Sequence, residues 1–237
     1  MIYKTKLMSV TTLAALIAIP SISKGEDYFK TGFVAGASLG YSRMKTDTTK
    51  NTFLANGFDD LSKRTASRNG ILGHVFGGYR YLTSAGFAIG FNLGFALDSN
   101  ETKGNDRLNG VNTVVKLNRK YQVIPAIFVG QKVSDQWMIF TELAAPISRF
   151  KLSNSATEVD TDVHSTKQYT KVGFAPTIGA EYAMNSNLSV IGTLGYEFFG
   201  TKKADLGDLI EGQPVTENHV KVRPHYFTAK VGVLYKF

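Results

Sequence analysis

Residues 86–98 read GFAIGFNLGFALD. Phe87, Ile89, Phe91, Leu93, Phe95 and Leu97 fall at alternate positions, with Ala88, Gly90, Asn92, Gly94, Ala96 and Asp98 between them. An alternation of period two is a strand whose successive side chains point to opposite faces. One face here is large and apolar throughout, and the other is small or polar. The apolar face needs an oily neighbour, and what that neighbour is decides the fold.

Seven more stretches carry the same rhythm. Phe33, Leu39 and Tyr41 alternate with Gly32, Ser38 and Gly40, and Ile71, Val75, Tyr79 and Tyr81 alternate with His74, Gly78 and Arg80. Tyr121 to Val129, Trp137 to Ala144, Phe174 to Tyr182 and Leu188 to Phe198 follow. The last, VGVLYKF, places Val231, Val233, Tyr235 and Phe237 on one face. Three links are tight turns: LTSAG (82–86), VSDQ (133–136) and MNSN (184–187). Four are long and rich in Asn, Asp, Lys, Thr and Ser, running from Met44 to Asn69, Ser99 to Gly110, Arg149 to Lys167 and Gly200 to Arg223. Eight strands with short turns at one end and long polar links at the other are the pattern of an outer-membrane barrel.

Lipid cannot satisfy backbone N–H and C=O groups, so a sheet in a bilayer must close on itself. In an eight-stranded barrel the inward residues fill the interior, and Gly, Ala, Ser and Thr dominate the inward positions here. A soluble barrel would instead bury the oily face. Two features argue against it. The six large residues from Phe87 to Leu97 would overfill a small interior, and the opposite face carries Arg80, Glu142, Glu181, Glu197 and Lys230. Tyrosines and Trp137 near the strand ends form the expected aromatic girdle. The fold class predicted is an all-β, eight-stranded antiparallel transmembrane β-barrel with long extracellular loops and short periplasmic turns.

The N-terminus, MIYKTKLMSVTTLAALIAIPSISKG, has lysines at 4 and 6, an apolar run over 7–19 and small residues at Ser21 and Ser23. That is a secretory signal peptide, giving residues 1–23 as signal and 24–237 as one barrel domain. The chain has no cysteine, which removes disulfides, thiolate metal sites and thiol nucleophiles. Its net charge of +8 falls to +6 without the two signal lysines. Export makes nucleic acid an implausible partner for that charge.

FVAGASLGYSR (33–43), VFGGYRY (75–81), APTIGAEY (175–182) and VGVLYKF (231–237) resemble the eight-stranded outer-membrane barrels of the OmpX, OmpA-barrel and opacity-protein kind. The resemblance implies location in the outer membrane of a Gram-negative bacterium, among lipid and lipopolysaccharide. Val231, Val233, Tyr235 and Phe237 look like the C-terminal signal read by the barrel assembly machinery. Family functions range from adhesins and structural anchors to lipid-modifying enzymes. One departure is that Pro125 and Pro176 fall inside strands, where bulges or strain are expected.

The inward charges Arg80, Glu142, Glu181, Glu197 and Lys230 are read as a salt-bridge network that plugs the lumen. His164 and Ser165 invite comparison with lipid A deacylases but sit among Asp160, Asp162 and Lys167 in a polar link, which favours a solvated loop. Asp205, Asp208 and Glu211 lack the dense oxygen spacing of a calcium loop. No cofactor or metal is expected. In the first long link, Phe53, Leu54, Phe58 and Leu61 are the contact candidates. That link carries a net charge of +2 and the other three are neutral, so no strong cationic patch is expected outside. The function expected is a non-enzymatic adhesin or surface antigen whose long loops meet a host surface or serum protein. The alternatives are a structural or narrow-pore barrel, or a lipid-modifying enzyme.

Overall fold

A computed structural model describes residues 28–53, 59–108, 111–158, 161–205 and 217–237. Its strands are β1 Gly32–Phe53, β2 Asp59–Leu82, β3 Phe87–Asp98, β4 Glu101–Leu108, β5 Val111–Lys132 and β6 Trp137–Ala144. They continue with β7 Ile147–Glu158, β8 Thr161–Ala183, β9 Leu188–Phe199, β10 Lys202–Asp205 and β11 Glu217–Lys236. Neighbours pair in the order β1-β2-β3-β5-β6-β8-β9-β11, and β11 returns to β1. All pairs are antiparallel. The sheet is therefore a closed ring of eight staves, with β4, β7 and β10 continuing β3, β6 and β9 after short breaks.

Closure is tight at the seam. Ala35, Ala37 and Leu39 lie opposite Tyr235, Val233 and Val231, and Phe237 N donates to Phe33 O at 3.0 Å. All three tight turns lie at the end of the ring that holds Phe237. In the first, Thr83 N donates to Phe87 O, and Gly86 takes a φ of 77°, a left-handed conformation that a side chain would strain.

The apolar faces point out. Leu39 is 69 % exposed, Ile71 71 % and Leu93 52 %, whereas the alternate residues Ser38, Leu72 and Asn92 are buried. In β3 the switch recurs from Ala88 to Leu97. A soluble barrel would reverse this pattern. The twelve residues of β3 fit the roughly 9–11 needed for a tilted strand to cross a bilayer.

The four polar links depart from the sequence expectation, because their described residues continue the strands. β1, β2, β5, β8 and β11 are 20–24 residues long, about twice what the membrane requires. Cross-strand hydrogen bonding satisfies a polar backbone as well as an apolar one, so alternation of hydrophobicity marks where lipid ends rather than where pairing ends. Above the membrane the ring also divides. The last β2–β3 link is Ser99 N to Ile71 O, 3.0 Å. Beyond it β4 pairs with β5 and β10 with β11, leaving two four-stranded sheets, β10-β11-β1-β2 and β4-β5-β7-β8. At the break Asn100 turns inward and donates to the carbonyl of Ser42 at 3.2 Å. Gly70 makes this crossing possible: a Cβ there would stand 2.6 Å from the Asn100 amide oxygen.

The prolines cause no bulge. Pairing on either side of Pro125 and Pro176 keeps one register, and the register shifts instead between Arg119 and Tyr121. Pro125 faces the break between β6 and β7, where its carbonyl accepts from Ala145 N at 3.0 Å. Pro176 lies where the β8–β9 ladder lapses between Phe174 and Thr177. Each missing donor is placed where no acceptor needs it.

Candidate functional site

The interior is layered. At the turn end Phe128, Phe140, Met138 and Ala88 pack with Phe29, which precedes β1 and enters the mouth of the barrel. At the opposite end Met44, Val222 and Tyr226 of one sheet meet Leu117, Phe150 and Leu152 of the other, closed by Phe199. These large residues close the ends of an interior that otherwise holds the small inward side chains the sequence predicts, such as Ser38, Ala96, Ala126 and Thr193. Charges occupy the middle, and bulky apolar layers seal both ends.

Two ionic clusters lie between the seals. Arg80 donates to Glu181 at 2.5 Å and stacks 4.0 Å from the Phe128 ring. Lys236 lies 3.6 Å from the same carboxylate and donates to the Tyr28 carbonyl at 2.6 Å. The second cluster centres on Arg119, which was absent from the sequence-derived set. Its Nε donates to Asp98 at 2.6 Å, and an Nη bonds Glu197. Gln122 also donates to Glu197, at 3.1 Å, while the guanidinium lies 3.9 Å from the Tyr226 ring. Between the clusters, Asn92 donates to Glu142 at 2.5 Å. Lys230 lines the same narrow cavity as Glu142, Glu197, His74 and Ser38.

The five residues named from sequence are thus divided between two clusters and the cavity, not joined in one network. Arg80 pairs with Glu181, whereas Glu197 belongs to Arg119. Arg119 was missed because it lies beside the bulge at Lys120, where alternation shifts by one. Lys236 sits in the segment that also carries the outward Val231, Val233, Tyr235 and Phe237. The lipid side of that strand is apolar while its lumen side locks the N-terminal residues.

That lock gives a prediction. Lys236→Met should lower stability by about 1–3 kcal/mol, the cost of leaving buried acceptors unpaired. It should also expose Lys30 to trypsin, read as a shortened N-terminus by mass spectrometry. Unchanged urea unfolding and no new cleavage would show that the lock carries no load.

Of the other candidates, Leu54 and Phe58 lie outside the described residues, as do Asp160, Asp208 and Glu211 and the signal segment 1–23. Phe53 pairs with Asp59, and Leu61 with Asn51, in the projecting β1–β2 hairpin. His164 and Ser165 lie opposite Ser155 and Asn154 in the β7–β8 hairpin, in a paired strand where a loop was expected. Among the described residues no group of three metal-ligating side chains comes together.

A closed antiparallel ring, oily outside, ionic within and extended at one end, defines a transmembrane β-barrel of the outer-membrane type. The chain belongs to the outer membrane protein beta-barrel domain family, which it matches over residues 11–237. Its place is the outer membrane of a Gram-negative bacterium. It is similar to the 31 kDa outer-membrane immunogenic protein of Brucella melitensis, 21% identical over 99% of this chain and 95% of that one. Among solved structures it resembles the outer membrane protein OprG of Pseudomonas aeruginosa, at a TM-score of 0.55 and 13% identity, covering 89% of this chain and 98% of that one. It also resembles the outer membrane protease OmpT of Escherichia coli, at 0.50 and 9%, covering 86% and 97%. These likenesses show the fold.

Proposed function

We propose that this protein is a non-catalytic surface-binding barrel, in which two rigid sheets carry contact residues away from the membrane to meet a host or environmental macromolecule. The observation that carries this reading is the continuation of β1, β2, β5, β8 and β11 as paired strands well beyond the apolar belt. Ten further residues per strand extend about 30 Å. Pairing holds the chain in one arrangement, so less conformational entropy is lost when a partner docks. A lumen sealed at both ends among the described residues disfavours transport as the main role. The immunogenic Brucella relative is consistent with a protein seen from outside the cell. Phe53, Leu54, Phe58 and Leu61 remain the contact candidates of the first hairpin. The outward Val231, Val233, Tyr235 and Phe237 are proposed as the strand presented to the assembly machinery.

The test shortens the hairpin. Residues 48–64 replaced by Asn-Gly keep the Asp47–Thr65 pair as the new end of β1–β2. Cells bearing this variant should bind host cells or immobilised serum proteins at least ten-fold less than wild type, with the folded barrel still migrating faster on gels before boiling. Equal binding by the two would remove the surface-binding reading. Altered lipid A in a deletion strain would remove the non-catalytic one.

A further inference from the structure

Charge counted along the sequence suggested no cationic surface outside, because the long links nearly balance. The folded chain separates the signs. On β1 the outward row runs Leu39, Tyr41, Arg43, Lys45, while Ser42, Met44 and Thr46 between them are buried. On β11 the outward row passes from Phe227 to Arg223 and Lys221, with Val222 and Tyr226 buried between. Lys221 lies directly opposite Lys203 of β10, and Arg223 opposite Asp47 of β1. Five cations therefore share this face with Asp47, and the other described acids in its register, Asp59, Asp205 and Glu217, stand further out along the strands. Asp47 already accepts from Thr65 at 2.7 Å and lies 4.0 Å from His225.

The second sheet repeats the arrangement from unrelated residues. Ile147 is followed outward on β7 by Arg149 and Lys151, and Tyr121 is flanked by Lys120 at the bulge. Lys103 and Lys116 are direct partners across β4–β5, with Glu101 as the described carboxylate on that face, 3.5 Å from Lys103. The remaining acids of these links, such as Glu158, Asp160 and Asp162, lie further along the chain from the barrel.

We propose that the cations at the base of both sheets form a collar that binds the phosphates of outer-leaflet glycolipid around the barrel. Three observations favour this occupant. On β1 the first cation, Arg43, stands one alternate position, about 7 Å, beyond the outward Tyr41, and on β7 Arg149 stands as far beyond Ile147. That is the depth of the headgroup layer, which adds several ångströms on each side of the hydrocarbon. They point sideways on the same faces that meet lipid, so an acyl chain on the belt would bring its headgroup against them. Two separate sheets also carry such cations on their outward rows just past the apolar residues. Juxtamembrane cations attract anionic headgroups and act cooperatively within a Debye length.

The experiment uses refolded full-length barrel in detergent, titrated with bisphosphorylated lipid A and with lipid A stripped of phosphate, and read by native mass spectrometry. The phosphorylated form is expected to bind at least ten-fold more tightly. Replacing Arg43, Lys45, Lys221 and Arg223 with Gln should weaken it at least ten-fold, with gel migration before boiling showing that the barrel is folded. A companion variant, Lys103, Lys120, Arg149 and Lys151 to Gln, poses the same question on the other sheet. Equal binding of the two lipids, or wild-type affinity in both folded variants, would overturn the proposal. Heparin oligosaccharide displacing lipid A at about 0.15 M salt would also overturn it, by assigning the surface to a soluble polyanion.

Discussion

Arg119→Ala should cost about 3–5 kcal/mol of unfolding free energy, the usual penalty for removing one partner of a buried ionic cluster. Arg119 holds both Asp98 and Glu197, and Gln122 contributes one further bond to Glu197. Truncation leaves two carboxylates facing each other in a space sealed by Tyr226, Phe150 and Phe199. It also removes the guanidinium from the Tyr226 ring. The measurement is urea unfolding of the barrel in lipid vesicles. Arg119→Met combined with Asp98→Asn and Glu197→Gln should recover most of the loss, since a neutral set has no charge to desolvate. A loss below about 1 kcal/mol for the single change would mean that the cluster is solvated and that the lumen is open to water.

The second large effect lies on the other face of the wall. Leu93→Arg should destabilise the barrel in a bilayer by about 2–4 kcal/mol, because it sets a cation at the hydrocarbon midplane. Leu93 is central in β3, paired with Gly77 and Pro125, and half its surface faces outward. Tyr41→Arg, at the edge of the belt beside Arg43, should cost no more than about 1 kcal/mol. This depth profile is the signature of a hydrocarbon slab. Equal costs at the two positions would mean that the outward face does not meet lipid.

How far the residues alone carried the reading can be seen strand by strand. GFAIGFNLGFALD and its counterparts contain the barrel, its eight staves and its inside-out polarity, because period-two alternation is a local property and lipid imposes it residue by residue. The tight turns were equally visible, since LTSAG, VSDQ and MNSN interrupt that alternation sharply. The projecting sheets were not legible. Beyond the membrane both faces become polar, the alternation fades, and paired strands read as loops.

Ion pairing was only half legible. That Arg80, Glu181 and Glu197 face inward follows from parity within each strand. Which charge meets which depends on stagger around the ring, and Arg80 and Glu181 are 101 residues apart. Arg119 was hidden by a bulge that resets parity, and Lys236 by its place in a segment whose other face is so apolar. The collar was hidden by addition, because summing charge along a link cancels groups that the strand separates in space. The amino-acid order therefore determined where lipid lies and that the wall closes, both consequences of neighbouring side chains. Only the tertiary structure decided the partners of the buried charges, the division into two sheets and the segregation of charge on their outer faces. Each of these depends on the stagger of strands brought together from distant parts of the chain.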